Sequence, residues 1–133
     1  MPIRGAALPG RPDVYVQRGE SLVTLDEAKA MKREEMRQPA PPDRCYLTDL
    51  RGCEFRMEEI KQWSAWNKEN TPPEYLGRVA YIVDEPVATA YMMMLAADFG
   101  EERPAGVFST RQGALSFLGI EDTAEALDAI GLK

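Results

Sequence analysis

Residues 77–119 read GRVAYIVDEPVATAYMMMLAADFGEERPAGVFSTRQGALSFLG, and they contain two strand patterns, each followed by a helix pattern. The β-rich run Arg78 to Val83 is followed by Asp84-Glu85-Pro86, which is typical of a helix start because proline fits the first helical turn. A second short apolar run precedes Ser109-Thr110-Arg111-Gln112, a Ser-x-x-Gln capping box, and Gly119 is positioned to end the helix that follows. This stretch therefore predicts the order strand, helix, strand, helix.

The flanking sequence continues the same alternation. Residues 13–17 form a short strand pattern, and Thr24-Leu25-Asp26-Glu27 is a capping box that opens a charged helix. Another strand is predicted at residues 45–50, followed by helical periodicity from Met57 to Asn67. A last capping box at residues 122–125 opens a short C-terminal helix. Four strand–helix units with an appended helix predict an α/β fold with a mainly parallel four-stranded sheet.

Length and charge restrict the class of protein. A chain of 133 residues forms one domain, and we expect a flexible leader at 1–12, the main domain at 13–119 and a helical extension at 120–133. A net charge of −6 disfavours nucleic acid as a partner. No apolar run is long enough for a membrane span, and the start lacks the apolar segment of a signal peptide. We therefore expect a cytoplasmic protein.

The extension has a predicted role in the core. The strand at residues 78–83 is apolar on both faces, although right-handed crossovers between sequential strands place the main helices on one face only. We expect Leu127, Ile130 and Leu132 to help cover the other face, within one chain or across a dimer.

The composition removes several kinds of chemistry. The chain has no histidine, and no strand is followed by a glycine-rich phosphate-binding motif, so we expect no metal, no cofactor and no catalytic residue. Cys45 and Cys53 are too far apart along an extended strand to form a disulfide, so we expect buried free thiols. A reactive thiol remains an alternative, because Arg51 and Arg56 are close in sequence to Cys53.

A candidate site lies where the parallel strands end. Ligands of open α/β sheets bind outside the carboxyl edge of the strands, and polar residues follow three of the predicted strands there. They are Asp49, Arg51, Asp84, Glu85, Ser109, Thr110 and Arg111. The alternative is that these residues are ordinary helix caps and surface ion pairs.

Two helices carry unusual apolar residues. The helix after Pro86 is apolar nearly all round, with an expected core stripe of Val87, Tyr91, Met94 and Leu95. Met92 and Met93 lie outside that stripe, and Trp66 lies off the apolar stripe of its own helix. These three side chains form a candidate surface for a dimer contact or an apolar ligand, and additional core is the alternative for the two methionines. By contrast, the helix after Thr24 is expected to be peripheral, with the stem of Lys32 among its few apolar side chains and the ammonium free to reach solvent.

Several phrases resemble the SpoIIAA-like branch of the STAS superfamily. They are DVYV at residues 13–16, YLTDLRG at 46–52, RVAYIV at 78–83, and VFS at 107–109 before ALSFLG at 114–119. The resemblance implies a superhelix of about four strand–helix turns, frequently dimeric, in bacterial proteins mostly of unknown role. Relatives that act as anti-anti-sigma factors carry a phosphorylatable serine after the central strand. Residues 52–57 read GCEFRM here, so phosphorylation-controlled partner exchange is not implied.

These observations favour a non-catalytic module that binds a protein partner or a small ligand and forms a homodimer. Two alternatives remain. A small enzyme would need Asp49, Asp84 and Arg111 to converge in a pocket at the carboxyl edge. A carrier of apolar ligands or lipids would need a cavity lined by the side chains from Met92 to Leu95.

Overall fold

The computed structural model describes residues 3–37, 41–71, 77–99 and 104–132. Within these ranges the chain is an α/β fold built on a five-stranded mixed sheet. The strands are β1 (Ile3–Leu8), β2 (Arg11–Gly19), β3 (Leu22–Val23), β4 (Cys45–Asp49), β5 (Glu54–Phe55), β6 (Val79–Ile82) and β7 (Ala105–Phe108). The helices are α1 (Leu25–Arg37), α2 (Met57–Asn70), α3 (Pro86–Ala97), α4 (Arg111–Leu118) and α5 (Ala124–Ala129).

The main sheet has the order β1-β2-β4-β6-β7, in which the four predicted strands are parallel neighbours in chain order. The fifth strand was not predicted. Strand β1 pairs antiparallel with β2, so the expectation of an unstructured leader is wrong for residues 3–8, while Met1 and Pro2 lie outside the described residues. Short side chains at Gly5, Ala6 and Ala7 give no strand pattern, and pairing with the long β2 supplies the missing stability. Strands β3 and β5 form a separate two-stranded sheet.

The main sheet is covered on both faces. Helices α1, α2 and α3 pack on what we call the first face, against Tyr15, Tyr46 and Tyr81. Helices α4 and α5 pack on the second face, against alternate strand residues such as Val16 and Leu47. The prediction that the C-terminal segment covers the second face is confirmed for Leu127 and Leu132, which are buried there, and is wrong for Ile130, which is exposed.

Local capping signals set the starts of α1 and α3 and the end of α4. Thr24 and Glu27 form the predicted capping box, in which each side chain accepts a hydrogen bond from the other residue's backbone N–H at 3.3 and 3.1 Å. The Glu85 carboxylate caps α3 by accepting from the N–H groups of Val87 and Ala88. Gly119 ends α4 with a φ of 72°, a left-handed conformation that glycine adopts at little cost.

Two capping predictions are wrong. Helix α4 is capped by Thr110, whose Oγ1 accepts from the Gly113 N–H at 3.1 Å, and the predicted cap Ser109 is exposed one residue earlier. Helix α5 has no side-chain cap, because a 3₁₀ turn at Glu121–Thr123 leads directly into it. The Thr123 hydroxyl instead donates to the Ile120 carbonyl at 2.7 Å.

The buried face of α3 differs from the predicted stripe. The buried residues are Ala88, Met92 and Leu95, whereas Val87 and Met94 are about half exposed. A helix that is apolar all round gives no preferred direction from periodicity alone, so the packing against the sheet decides which side is buried. Among the described residues, no helix combines the length and the apolar character that crossing a membrane requires.

Candidate functional site

The carboxyl edge brings together three of the predicted residues. Asp49 is buried and accepts two hydrogen bonds from the guanidinium of Arg51, both at 2.9 Å. Its hydrogen bond raises the pKa of Arg51. Asp84 lies across the same turn, where Oδ1 accepts from the Gly52 N–H at 3.0 Å. These carboxylates therefore hold the turn that follows β4.

The other edge residues have separate structural contacts. Glu85 and Thr110 are the caps of α3 and α4. Arg111 contacts the C-terminal segment, donating to the Asp128 carboxylate at 2.6 Å and to the Leu132 carbonyl at 3.0 Å. The edge thus consists of caps and ties between elements, as the alternative interpretation of these residues expected.

Both thiols are free and buried, as predicted. Burial raises the pKa of Cys45 and of Cys53 to about 11. Nearby carboxylates, including Asp49 and Asp84, act in the same direction on Cys53. Because the thiolate is the nucleophilic form, both groups are poorly reactive at neutral pH, and the alternative of a reactive thiol is disfavoured.

A buried polar cluster, which the sequence did not predict, lies between α1 and the first face. Thr48 donates to the Gln17 side-chain carbonyl at 2.8 Å, and the Gln17 amide donates to Glu35 Oε1 at 2.9 Å. The Lys32 ammonium lies 3.2 Å from Glu35 Oε2. Lys32 was expected at the surface, yet it is only 5% exposed and Glu35 only 3%. Helix α1 therefore carries charge into the core instead of lying at the periphery.

The cluster continues into a cation–aromatic stack. The buried guanidinium of Arg44 lies 4.6 Å from the ring centroid of Tyr15 and 5.0 Å from that of Tyr46. Arg44 also donates to the Tyr46 hydroxyl and to the backbone carbonyl of Glu35. The Tyr15 hydroxyl has no hydrogen-bond partner within the described part of the chain. Burial raises the pKa of Tyr15 to about 12.

A cavity of about 30 Å³ lies beside this cluster, with Gln17, Lys32, Glu35 and Thr48 in its wall. That volume holds about one water molecule, and Glu35 Oε2 has no aligned donor. The cavity therefore suits a bridging water better than a substrate. One signal could have identified the cluster: Gln17 and Thr48 occupy the core-facing register of two neighbouring strands.

A larger depression lies between α2 and α3. It has a volume of about 380 Å³, and we call it the α2–α3 groove; its lining is Lys61, Ser64, Ala65, Lys68, Met94 and Asp98. One heptad before Ser64 and Met94 of this lining are two further positions on the same helices. Those positions hold Met57 and Val87, which are 69% and 53% exposed.

Only part of the predicted dimer surface is exposed to solvent. Met92 is fully buried in the core, so its place on that surface is wrong, whereas Met93 is exposed. Trp66 is partly buried because cations of α1 cover its ring: Lys29 Nζ and the Arg33 guanidinium each lie 5.8 Å from the ring centroid. The position of Trp66 is thus explained by a cation–π contact between α1 and α2.

No family model matches the chain, and no curated protein or solved structure matches it. In the described ranges, no group of three or more histidine, cysteine, aspartate or glutamate side chains is placed to hold a metal ion.

Proposed function

We propose that this protein is a non-catalytic module whose α2–α3 groove binds a helical segment of a partner protein. The observation that carries the proposal is the α2–α3 groove with the exposed Met94 in its lining; Met57 and Val87 are further exposed apolar side chains of the same two helices. Exposed apolar side chains beside a groove are typical of interaction sites, and an amphipathic helix can bind in a groove between two helices.

The charged side chains that line the groove indicate the chemistry of the partner helix. Lys61 and Lys68 are one heptad apart on α2 and both line the groove, although the whole chain has a net charge of −6. The groove is thus locally basic on an acidic protein, with Asp98 as its one acidic lining residue. A helix with apolar side chains on one stripe and carboxylates beside it complements this surface.

The two alternative functions have less support. The enzyme alternative needs Asp49, Asp84 and Arg111 in one pocket, but Arg111 is bonded to Asp128 and to the C-terminal segment. The carrier alternative needs a cavity around Met92 to Leu95, but Met92 and Leu95 are packed in the core.

We extend the proposal to the family of the chain, its location in the cell and its self-association. Sequential parallel strands with a helix after each one support membership of the SpoIIAA-like branch of the STAS superfamily. Two buried free thiols support a cytoplasmic location, because oxidising compartments favour disulfides. The exposed Met93 supports self-association as a further property.

A designed pair of peptides tests the groove. Both peptides are amphipathic helices with leucines at i, i+3, i+4 and i+7, and they differ only in whether glutamate or lysine flanks that stripe. We expect the glutamate peptide to bind at least about tenfold more tightly in fluorescence anisotropy titrations, a difference of about 1.4 kcal/mol. If the two peptides bind with equal affinity, or if neither peptide binds, the groove does not select its partner by charge.

Two double variants localise the binding. Lys61→Gln with Lys68→Gln removes two positive charges from the groove and should abolish the preference for the glutamate peptide. Gln112→Glu with Ser116→Glu on the exposed side of α4 lowers the net charge by the same amount and should retain most of that preference. Met94→Glu should weaken binding of the glutamate peptide. If Met94→Glu leaves its affinity unchanged, the peptide binds outside the α2–α3 groove.

A further inference from the structure

A second groove lies beside β1, where the C-terminal segment crosses the second face. It has a volume of about 410 Å³, and we call it the β1 groove; its lining includes Ala6 and Val16 on the strands and Ile130 and Leu132 in the C-terminal segment. Sites for small molecules usually measure about 300 to 1,000 Å³, so this groove has the volume of a site for a small metabolite. It shares no lining residue with the α2–α3 groove.

The body of the β1 groove is apolar and incompletely filled. Ala6 is the register partner of Val16, and its small side chain leaves space that a larger residue would occupy. On the opposite wall Ile130 is 47% exposed, although Leu127 and Leu132 of the same segment are buried. The packing of the chain therefore leaves an apolar side chain uncovered inside this groove, and an apolar group of a ligand would remove it from water.

Two opposite charges line the same groove. Arg18 and Glu20 are two residues apart, and in the described part of the chain neither takes part in a salt bridge. Arg18 Nη1 donates to the Gly131 carbonyl at 3.1 Å, which holds the guanidinium beside the C-terminal wall. A guanidinium has five N–H donors, so Arg18 keeps donors for an anionic group, while the Glu20 carboxylate can accept from a cationic one.

We propose that the β1 groove binds a free apolar α-amino acid. The α-carboxylate accepts hydrogen bonds from Arg18, the α-ammonium donates to Glu20, and the apolar side chain packs against Val16 and Ile130. A free amino acid carries both charges on one carbon, whereas a peptide carries them at opposite ends of its chain. A fatty acid carries only the negative charge and would place it beside Glu20. The neighbouring opposite charges therefore select the zwitterion.

L-Leucine is the probe, and three analogues each lack one of the recognised groups. Leucinamide lacks the carboxylate, N-acetyl-leucine lacks the ammonium, and glycine lacks the apolar side chain. We expect L-leucine to bind with a Kd below about 1 mM in NMR titrations of the isotope-labelled chain, and each analogue to bind at least about fivefold more weakly. Absence of L-leucine binding, or equal affinity for any of the three analogues, overturns the proposal.

Neutral variants assign each charge to its contact. Arg18→Gln should remove the preference for L-leucine over leucinamide, and Glu20→Gln should remove the preference over N-acetyl-leucine. The control is Glu69→Gln at an exposed position of α2, which changes the net charge by the same amount as Glu20→Gln and should retain the affinity of the wild type. If both groove variants keep the selectivity of the wild type, these charges do not recognise the amino acid.

Variants of the apolar wall separate loss of binding from loss of folding. Ala6→Phe fills the groove without changing its charges and should abolish L-leucine binding, with the circular dichroism spectrum of the wild type. If Ala6→Phe does not fold, Ile130→Ser at the exposed position decides instead, and it should weaken L-leucine but not glycine. Unchanged L-leucine affinity in the folded variant contradicts the proposal.

The β1 groove and the α2–α3 groove are tested independently. Met94→Glu should leave the affinity for L-leucine unchanged, because Met94 lines only the α2–α3 groove. Loss of L-leucine binding in Met94→Glu would place the amino acid in the α2–α3 groove and overturn this proposal.

Discussion

The two faces of the sheet are built differently, although the same strands supply both. Strand β2 directs Tyr15 and Gln17 to the first face and Val14 and Val16 to the second. The first face contains the buried cluster with Glu35 and α1, while the core cluster on the second face is made of apolar side chains. Hydrogen bonds need one particular alignment of helix and strands, whereas apolar packing needs mainly volume. We hypothesise that the hydrogen bonds of the first face fix the alignment of helix and strands, and that the apolar packing of the second face contributes hydrophobic stabilisation.

The largest expected effect comes from breaking the polar cluster. Glu35→Ala removes the carboxylate beside Lys32 and the acceptor of the Gln17 amide, leaving buried polar groups without these contacts. Removal of one partner of a buried ion pair costs about 3 to 5 kcal/mol, so we expect that loss in the free energy of unfolding, measured by urea denaturation.

A neutral double variant sharpens the result. Lys32→Met with Glu35→Gln removes both charges and keeps a side-chain oxygen for the Gln17 amide. Its stability should lie within about 1.5 kcal/mol of the wild type, because buried ion pairs are often replaceable by neutral groups of similar volume. If Glu35→Ala itself lowers the free energy of unfolding by less than about 1.5 kcal/mol, the stability of the first face does not depend on the cluster.

On the second face we expect a somewhat smaller effect from Leu127→Ala. Leu127 is fully buried, and a Leu→Ala change at such a site costs about 2 to 5 kcal/mol through lost burial and the cavity that remains. Ile130→Ala is the control in the same segment, because Ile130 is 47% exposed, and it should stay within about 0.5 kcal/mol of the wild type. Similar losses for the two variants would show that the segment does not pack as described.

The smallest expected difference in stability is between variants of two tyrosines on neighbouring strands. Tyr15 and Tyr46 are register partners on β2 and β4, but only the Tyr46 hydroxyl receives hydrogen bonds from Arg44. Tyr46→Phe should cost about 1.5 to 3 kcal/mol, the range for hydrogen bonds to charged groups. Tyr15→Phe loses no such bond and should be neutral or slightly stabilising in the same denaturation assay.

Alkaline titration provides a second readout for Tyr15. Its pKa is raised by burial to about 12 in the folded chain, whereas an exposed tyrosine titrates near pH 10. The contribution of Tyr15 to stability is therefore complete below about pH 10 and is lost as the pH rises towards 12. Tyr15→Phe should show a shallower decline in stability over this window, and identical declines would contradict the buried environment assigned to Tyr15.

Much of the fold could be predicted because its signals are local. The Thr24–Glu27 capping box and the Glu85-Pro86 start act through hydrogen bonds and sterics within one helical turn, so they work in the same way in any context. The same is true of Gly119, whose left-handed conformation depends on its own backbone. The first strand was missed because Gly5, Ala6 and Ala7 have little intrinsic strand preference and depend on pairing with β2.

The candidate surfaces were harder to predict. Of the polar residues predicted to converge at the carboxyl edge, only Asp49, Arg51 and Asp84 lie together, and the hydrogen bonds of the set show that its members cap and tie neighbouring elements. The α2–α3 groove depends on which side of α3 faces the sheet, and an all-apolar helix gives no periodic signal for that choice. The Lys32 ammonium was expected to reach solvent and Glu35 was not singled out, because the burial of this ion pair depends on packing against Gln17 of another element.

By itself the sequence determined the order of the four parallel strands and of the helices that follow them, and the free state of both thiols. Each of these follows from short-range geometry, from capping and from the distance that an extended chain spans. Tertiary structure decided that β1 closes the sheet antiparallel, that α1 buries an ion pair and that α3 exposes Val87 and Met94. Those outcomes depend on contacts between residues distant in sequence, whose free energies compete only when the whole chain packs.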